Sequence, residues 1–320
     1  MCLAALALDA SRRFPLVVAA NRDEFFNRPA ARLGWWTPDG GTQPILGGRD
    51  LAGGGTWMGL TAQGRFALVT NVRRPGGTVI SDGPSRGLIV PAWLEGQQTS
   101  DRFWPRVALS GYAPFNLIAA DFNRGECFWA SNQLASGRRI ERGITVISNA
   151  ADMDAPWPKV QLLKHRLDDA LHEAEDDDAS VDALAGQLFA MLADPMPADD
   201  EHLPHTGLDR ERERQLSSAF IRTPDGAYGT RCSTLIITER ATKHLTTHVF
   251  ERTFTTGPEL ALLRRASLKD WPPKYRPEDN AGPTTSGAAH WGPVDDTELA
   301  EVPLEPPKKR RVRSLIRPLR

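Results

Sequence analysis

Cysteine is scarce in this 320-residue chain: Cys2, Cys127 and Cys232 stand alone, far apart and without any C-x-x-C pair. An odd, scattered set of this kind builds neither a disulfide framework nor a zinc site. Long apolar runs are missing as well, and nothing approaches the ~20 residues that cross a bilayer. No basic stretch precedes the short apolar segment at residues 2–8, so a secretory signal is not expected. The net charge is only −1, which argues against nucleic-acid binding by the whole chain. No G-x-G-x-x-G follows a predicted strand, and the phosphate-cradling G-x-x-x-x-G-K-[ST] is absent. His244 with His248, and His202 with His205, lack a third ligand at metal-binding spacing. These absences predict a reduced, cytoplasmic protein with no cofactor, no metal, no nucleic-acid partner and no stable membrane insertion.

What is present is enough for a folded core. Hydrophobic residues make up 40% of the chain, a little low but ample for a sizeable interior. Apolar runs at 2–8 and 15–20, split by a polar break, predict a hairpin that carries the N-terminus into a sheet. The Gly- and Pro-rich stretch 35–55 reads as loop. A second hairpin is expected over 57–61 and 65–72, a short helix over 87–94, and strands over 115–122, 126–130 and 143–148. Pro158 opens a helix over 159–175 with Val160, Leu163, Leu167 and Leu171 at helical spacing. Ser180 caps a second helix running to about residue 191. A late hairpin is expected over 232–239 and 244–253, turning through 240–243. From residue 269 the chain becomes rich in Pro, Gly and Thr and ends in a basic cluster, Lys308 to Arg313. The predicted organisation is one α+β domain over 1–268 and a disordered tail over 269–320.

Cys2 carries the chemistry. Aminopeptidases remove Met1 ahead of a small residue, leaving a cysteine that bears both a thiol and a free α-amine, a nucleophile with its own base. Asn21-Arg22-Asp23-Glu24 ends the second predicted strand, beside the one that starts at Cys2. Its plain reading is a salt-bridged turn; its functional reading is an arginine for the thiolate and a carboxylate for the ammonium. Arg231 enters an apolar strand, where an unpaired charge is costly, although a solvent-facing strand edge explains it equally. Asn71 and Asn149 end predicted strands, as oxyanion donors or as turn caps.

Taken together, these residues resemble the NRDE family over roughly residues 1–255. The resemblance rests on Met1-Cys2, Asn21-Arg22-Asp23-Glu24 with Arg28-Pro29, Gly47-Gly48-Arg49-Asp50 and Gly54-Gly55-Thr56-Trp57. It continues through Thr70-Asn71, Ser85-Arg86-Gly87, Ser148-Asn149, Pro156-Trp157-Pro158-Lys159 and Tyr228-Gly229-Thr230-Arg231. The family is similar to N-terminal nucleophile (Ntn) hydrolases of the cysteine type. That likeness implies a four-layer αββα sandwich and a site of Cys2, Arg22 and Arg231, with Asp23 preferred to Glu24 as carboxylate. Asn71 and Asn149 carry over less strongly as oxyanion donors.

Two functions follow from the resemblance. One is hydrolysis of a carbon–nitrogen (amide) bond in a small molecule. The other is a non-catalytic carrier of a hydrophobic ligand such as haem, lipid or acyl-CoA, with Trp35, Trp36 and Trp57 lining its cleft. Haem lacks support in the residues, since no Cys-Pro pair is present. The hydrolase function requires that Met1 be removed. Intact-mass measurement of purified protein is expected to show a chain starting at Cys2; stoichiometric retention of Met1 would defeat the hydrolase mechanism and leave the carrier standing.

Overall fold

A computed structural model describes residues 2–74, 83–241, 244–255 and 261–273. The basic cluster and the remainder of the expected tail lie outside these residues, as does part of the turn at 240–243.

The first two strands are β1 (Cys2–Leu8) and β2 (Leu16–Phe25), paired antiparallel with Cys2 opposite Arg22 and Leu8 opposite Leu16. Then come β3 (Ala30–Trp36), β4 (Ile45–Asp50), β5 (Met58–Leu60) and β6 (Arg65–Asn71). Two helices follow, α1 (Ile89–Glu95) and α2 (Ser100–Ala108), and then β7 (Phe115–Asp121), β8 (Glu126–Ser131), β9 (Arg138–Arg139) and β10 (Gly143–Ile147). The helices α3 (Pro158–Asp176), α4 (Val181–Leu192) and the short α5 (Arg210–Gln215) precede β11 (Tyr228–Arg240), β12 (Leu245–Phe254) and β13 (Ala261–Lys269).

One sheet runs β10-β1-β2-β11-β12-β13 and the other β3-β4-β5-β6-β7-β8-β9. Period-two alternation gives each strand two apolar faces. On β1, Ala4 and Leu6 point between the sheets with Leu16, Val18 and Ile236. Leu3, Ala5 and Ala7 point outward, under Val160, Leu163 and Leu167 of α3 and Leu184 and Leu188 of α4. The second sheet packs its outer face, with Ala67, Leu117 and Ala119, against Ile89, Trp93 and Phe103 of α1 and α2. Helices cover both outer faces. The layers are αββα, as the resemblance implied.

The structure departs from the sequence reading in several places. The polar tetrapeptide 21–24 stands at the end of β2, but as strand and not as a turn, since the strand closes only at Phe25. The expected loop 35–55 contains β4 and the end of β3. Gly47 and Gly48 sit inside β4 because the backbone comes too close for a side chain. A Cβ on Gly47 would lie 2.5 Å from the Met58 carbonyl oxygen, and one on Gly48 2.2 Å from the Trp57 ring. Glycine here permits close packing, not mobility. α2, α5 and β13 were not expected.

The domain boundary moves too. Lys269 ends β13, and Trp271, assigned from sequence to the tail, is 1% exposed. Its indole N–H donates to the Thr61 carbonyl at 2.9 Å, its ring meets Phe122 edge-on, and its own carbonyl accepts from Thr247 Oγ1 at 2.6 Å. Trp271 fills the layer between the sheets. Trp271→Ala is expected to cost about 3–5 kcal/mol in a urea melt, the usual range for a buried aromatic. Truncation after Leu268 should be at least as damaging, and truncation after Pro273 should preserve the packing of Trp271. An unchanged midpoint in the Leu268 truncation would restore the boundary read from sequence.

Candidate active site

The tetrapeptide 21–24 distributes its side chains by strand alternation, and each finds different work. Asn21 faces the helices: its Nδ2 donates to the Leu192 and Ala219 carbonyls at 2.8 and 2.9 Å, and its Oδ1 accepts from Ser233 Oγ at 2.6 Å. Arg22 faces the gap between the sheets and is 5% exposed. Asp23 returns to the helix side, 1% exposed, with Oδ1 accepting from Thr230 Oγ1 at 2.7 Å and its carbonyl accepting from Tyr228 Oη at 3.0 Å. Glu24 is left at the rim, 3.9 Å from Arg28.

Arg22 has thiols on both sides in register, Cys2 on β1 and Cys232 on β11. Its guanidinium stacks on Trp57 at 4.4 Å and donates to Asp50 at 3.2 Å, while Nη1 is buried without a hydrogen-bond partner among the described residues. Asp50 closes β4 and also accepts from Arg28 at 2.8 Å and from the Ala52 and Gly53 backbone. Burial opposes its charge, but Arg28, the Gly53 N–H and Arg22 together hold the carboxyl below the usual carboxylate range.

Only Cys2 of the three thiols is part-exposed; Cys127 and Cys232 are each 4% exposed. Burial pushes the Cys2 thiol up and the Asp23 charge adds to this. Arg22 and a hydrogen bond from the Asp23 backbone act in the other direction. Burial takes Cys127 up to about 12 and Cys232 well above its ordinary value.

On the other side of β1, Ala4 pairs with Ile147 of β10, and continuing that register brings Asn149 opposite Cys2. Ser148 Oγ donates to the Cys2 carbonyl at 3.1 Å. Asn149 is fully buried, and its Nδ2 donates to the Asn71 carbonyl at 2.8 Å. The second N–H of that amide has no acceptor among the described residues. Asn71 takes part through its backbone, and its side chain makes no hydrogen bond among the described residues.

Arg231 stands in electrostatic reach of Arg22 and Cys232. The register between β2 and β11 slips between Thr230 and Cys232, so Arg231 is the extra residue of a bulge. Its guanidinium donates to the Phe25 and Arg28 carbonyls at 2.7 and 3.0 Å and lies over Phe26. Among side-chain charges, Asp23 and Arg22 act most strongly on the thiol. Arg231 braces the chain that presents Arg28.

Sequence reading named three further residues of this neighbourhood as landmarks of the resemblance but gave them no role in the site. Asp50 anchors Arg22; Arg86, in the single turn before α1, lies within electrostatic reach of Cys2; and Lys159, 5% exposed in the first turn of α3, is in reach of Asp23 and Cys2. A signal existed for Lys159. The start of a helix is the positive end of its dipole, where a buried cation is disfavoured.

The family model described as Transport and Golgi organisation 2 matches residues 1–256. The bovine Transport and Golgi organization protein 2 homolog is 31% identical over 77% of this chain and 91% of its own length. The human homolog is 27% identical over the same shares, and the Drosophila melanogaster protein 24% identical over 80% of this chain and 93% of its own. Among solved structures, a Caenorhabditis elegans ortholog of N-acylethanolamine-hydrolyzing acid amidase aligns at TM-score 0.40 and 12% identity, covering 74% of this chain and 92% of that one. The C2A mutant of conjugated bile acid hydrolase from Clostridium perfringens aligns at TM-score 0.44 and 9% identity, covering 83% and 92%.

Mild alkylation followed by peptide mapping is expected to label Cys2 first, and Cys127 and Cys232 only on unfolding. Because the Cys2 thiol is raised, its rate should still be climbing above pH 8.5. Arg22→Gln should slow it about tenfold at fixed pH by removing one stabilising cation. Preferential labelling of Cys127 or Cys232 would sink the assignment.

Proposed function

The chain belongs to the Transport and Golgi organisation 2 family, and from that premise we propose that it is an N-terminal cysteine hydrolase of amide bonds in a small molecule. The observation that supports this most is the pairing of Cys2 with Arg22 on one face of β1 and β2, with the buried Asp23 next in the chain.

In this reading the α-amine of mature Cys2 takes the proton from Sγ as the sulfur bonds to the substrate carbonyl carbon. The carbonyl π pair moves onto oxygen, which accepts from the second N–H of Asn149 and faces Nη1 of Arg22. The electrons return, the C–N bond breaks, and the leaving amine takes the proton from the α-ammonium. Water, deprotonated by the same amine, then cleaves the thioester and restores the thiol. Asp23 holds the amine in place throughout. Phe25, Leu51 and Leu88, exposed at the strand end and loops around Arg28 and Asp50, offer an apolar rim to a substrate. The reading goes with a reducing cytoplasmic setting, where Cys2 stays a thiol.

The carrier reading draws on an apolar cavity between the sheets, lined by Leu33, Leu46, Trp57, Met58, Ile236 and Val249. That cavity has room for little more than a water molecule, so a haem or acyl chain would have to part the sheets there. Trp35 packs into the same layer and Trp36 against the outer core of the second sheet.

A panel of fluorogenic N-acyl aminocoumarin amides of increasing acyl length provides the test. Turnover should appear with at least one acyl group, quenched samples should carry the acyl mass on Cys2, and Cys2→Ala should abolish both. Asn149→Ala should lower kcat about 10²–10³-fold, as loss of an oxyanion donor does elsewhere. Stoichiometric binding without turnover or adduct, unchanged in Cys2→Ala, would transfer the function to the carrier.

A further inference from the structure

Asn149 can steady an oxyanion only if its amide points one way. The two N–H bonds of an amide nitrogen lie in one plane, so the acceptor taken by the first decides where the second aims. That acceptor is the Asn71 carbonyl, 2.8 Å from Nδ2. The same segment grips Asn149 a second time, because the Arg73 backbone N–H donates to the Asn149 carbonyl at 2.7 Å. Residues 71 and 73 thus hold both the side chain and the backbone of the donor.

β6 ends at Asn71, and the ladder stops there. The Val72 N–H still reaches the Pro114 carbonyl at 3.0 Å. The next anchor is the Arg73 side chain, which runs to α5. Its Nη1 donates to Glu213 Oε2 at 2.6 Å, with the two side chains 8% and 4% exposed, and its guanidinium lies 5.4 Å from the centre of the Trp157 ring. Glu213 Oε1 is held in turn by the Thr206 N–H at 2.8 Å and by Thr206 Oγ1 at 2.5 Å. An ion pair this deep is a weak source of stability. Desolvation of both charges offsets most of their attraction, and apolar residues of similar volume often hold a fold better. What the pair supplies is direction: a guanidinium and a carboxylate bond along set lines, where two apolar side chains could slide.

We propose that Arg73 and Glu213 are positioning residues for the oxyanion donor: the buried pair fixes the segment after β6, and that segment aims the second N–H of Asn149 at the site. The inference rests on the hydrolase reading for its purpose and on these hydrogen bonds for its geometry. The role asks for no contact between either side chain and the reacting atoms. Both act through Asn149, so their effect on turnover should vanish once that amide is gone.

The test replaces the pair with apolar residues, Arg73→Met together with Glu213→Leu, which removes both charges and strands neither. Turnover is read with the N-acyl aminocoumarin amide that the parent chain cleaves fastest. The thermal midpoint should stay at or above the parent's, and Cys2 alkylation within about twofold of it. Against that background kcat should fall about 10²-fold with KM little changed, as it does when a catalytic group is about 1 Å out of place. Adding Asn149→Ala to the double variant should cost no more than about a further threefold, since residues that act as one unit are not additive. Retained kcat, a loss that multiplies with that of Asn149→Ala, or a parallel fall in stability, alkylation and turnover would overturn the proposal. If the double variant does not fold, Glu213→Gln takes its place, with kcat and alkylation as the criteria. A parent chain that cleaves none of the amides defeats the hydrolase reading instead. The grip on Asn149 is then read by hydrogen exchange on the peptide carrying the Arg73 amide, which should speed about tenfold in the double variant. Unchanged exchange there defeats the positioning role alone.

Discussion

Arg22 carries a positive charge into the layer between the sheets, where only 5% of its surface meets solvent. An unpaired guanidinium there would be prohibitive, so the surrounding chain is arranged to stabilise it. Asp50 supplies the counter-charge and Trp57 a ring face. Both come from the glycine-rich region that follows β3, and both need it to lie close. Gly48 lets the Trp57 ring settle against β4, and the Gly53 N–H fixes the Asp50 carboxylate. Removing any of these contacts would leave a buried cation short of partners, so the glycines and Asp50 belong to the same constraint as the arginine.

The same constraint separates two thiols that register treats alike. Cys2 and Cys232 both stand opposite Arg22. Cys232 lies within a long central strand, is 4% exposed and has the buried Glu251 within electrostatic reach, which pushes its thiol further up. Cys2 stands at the open end of β1 and is the one with access. Only Cys2 can acquire an α-amine. Proximity to a cation is common to both sites; access and a built-in base are not.

Much of this was legible in the sequence wherever a residue has a single dominant preference. Pro158 and Ser180 mark the starts of α3 and α4, and Ser180 Oγ does accept from the Ala183 N–H. The apolar runs gave β1, and the family resemblance implied the layer order. The misreadings share a cause, because a residue's usual role was overridden by a tertiary partner absent from its local window. Four polar residues at 21–24 look like a turn until each is seen to meet a partner on alternate faces. Gly47 and Gly48 look like loop until Met58 and Trp57 are brought against them. Trp271 sits in a proline-rich stretch and looks like tail until Thr61 accepts its indole N–H. Within β13, Arg264 and Arg265 interrupt the apolar pattern, and Arg264 is accommodated by donating to the Leu33 carbonyl at 2.8 Å. α5 has no apolar stripe to read, being Arg-Glu-Arg-Glu-Arg-Gln.

Beneath β2, Arg73 and Glu213 pair at 2.6 Å, Lys159 donates to the Leu216 carbonyl at 2.9 Å and Asp23 accepts from Thr230 Oγ1 at 2.7 Å. Buried polar groups are tolerable in such a layer only when each finds partners of this kind, and the partners come from the strands and helices that also hold β2 in place. The strand that carries Arg22 is thus fixed from its helix side by the same rule that fixes Arg22 between the sheets.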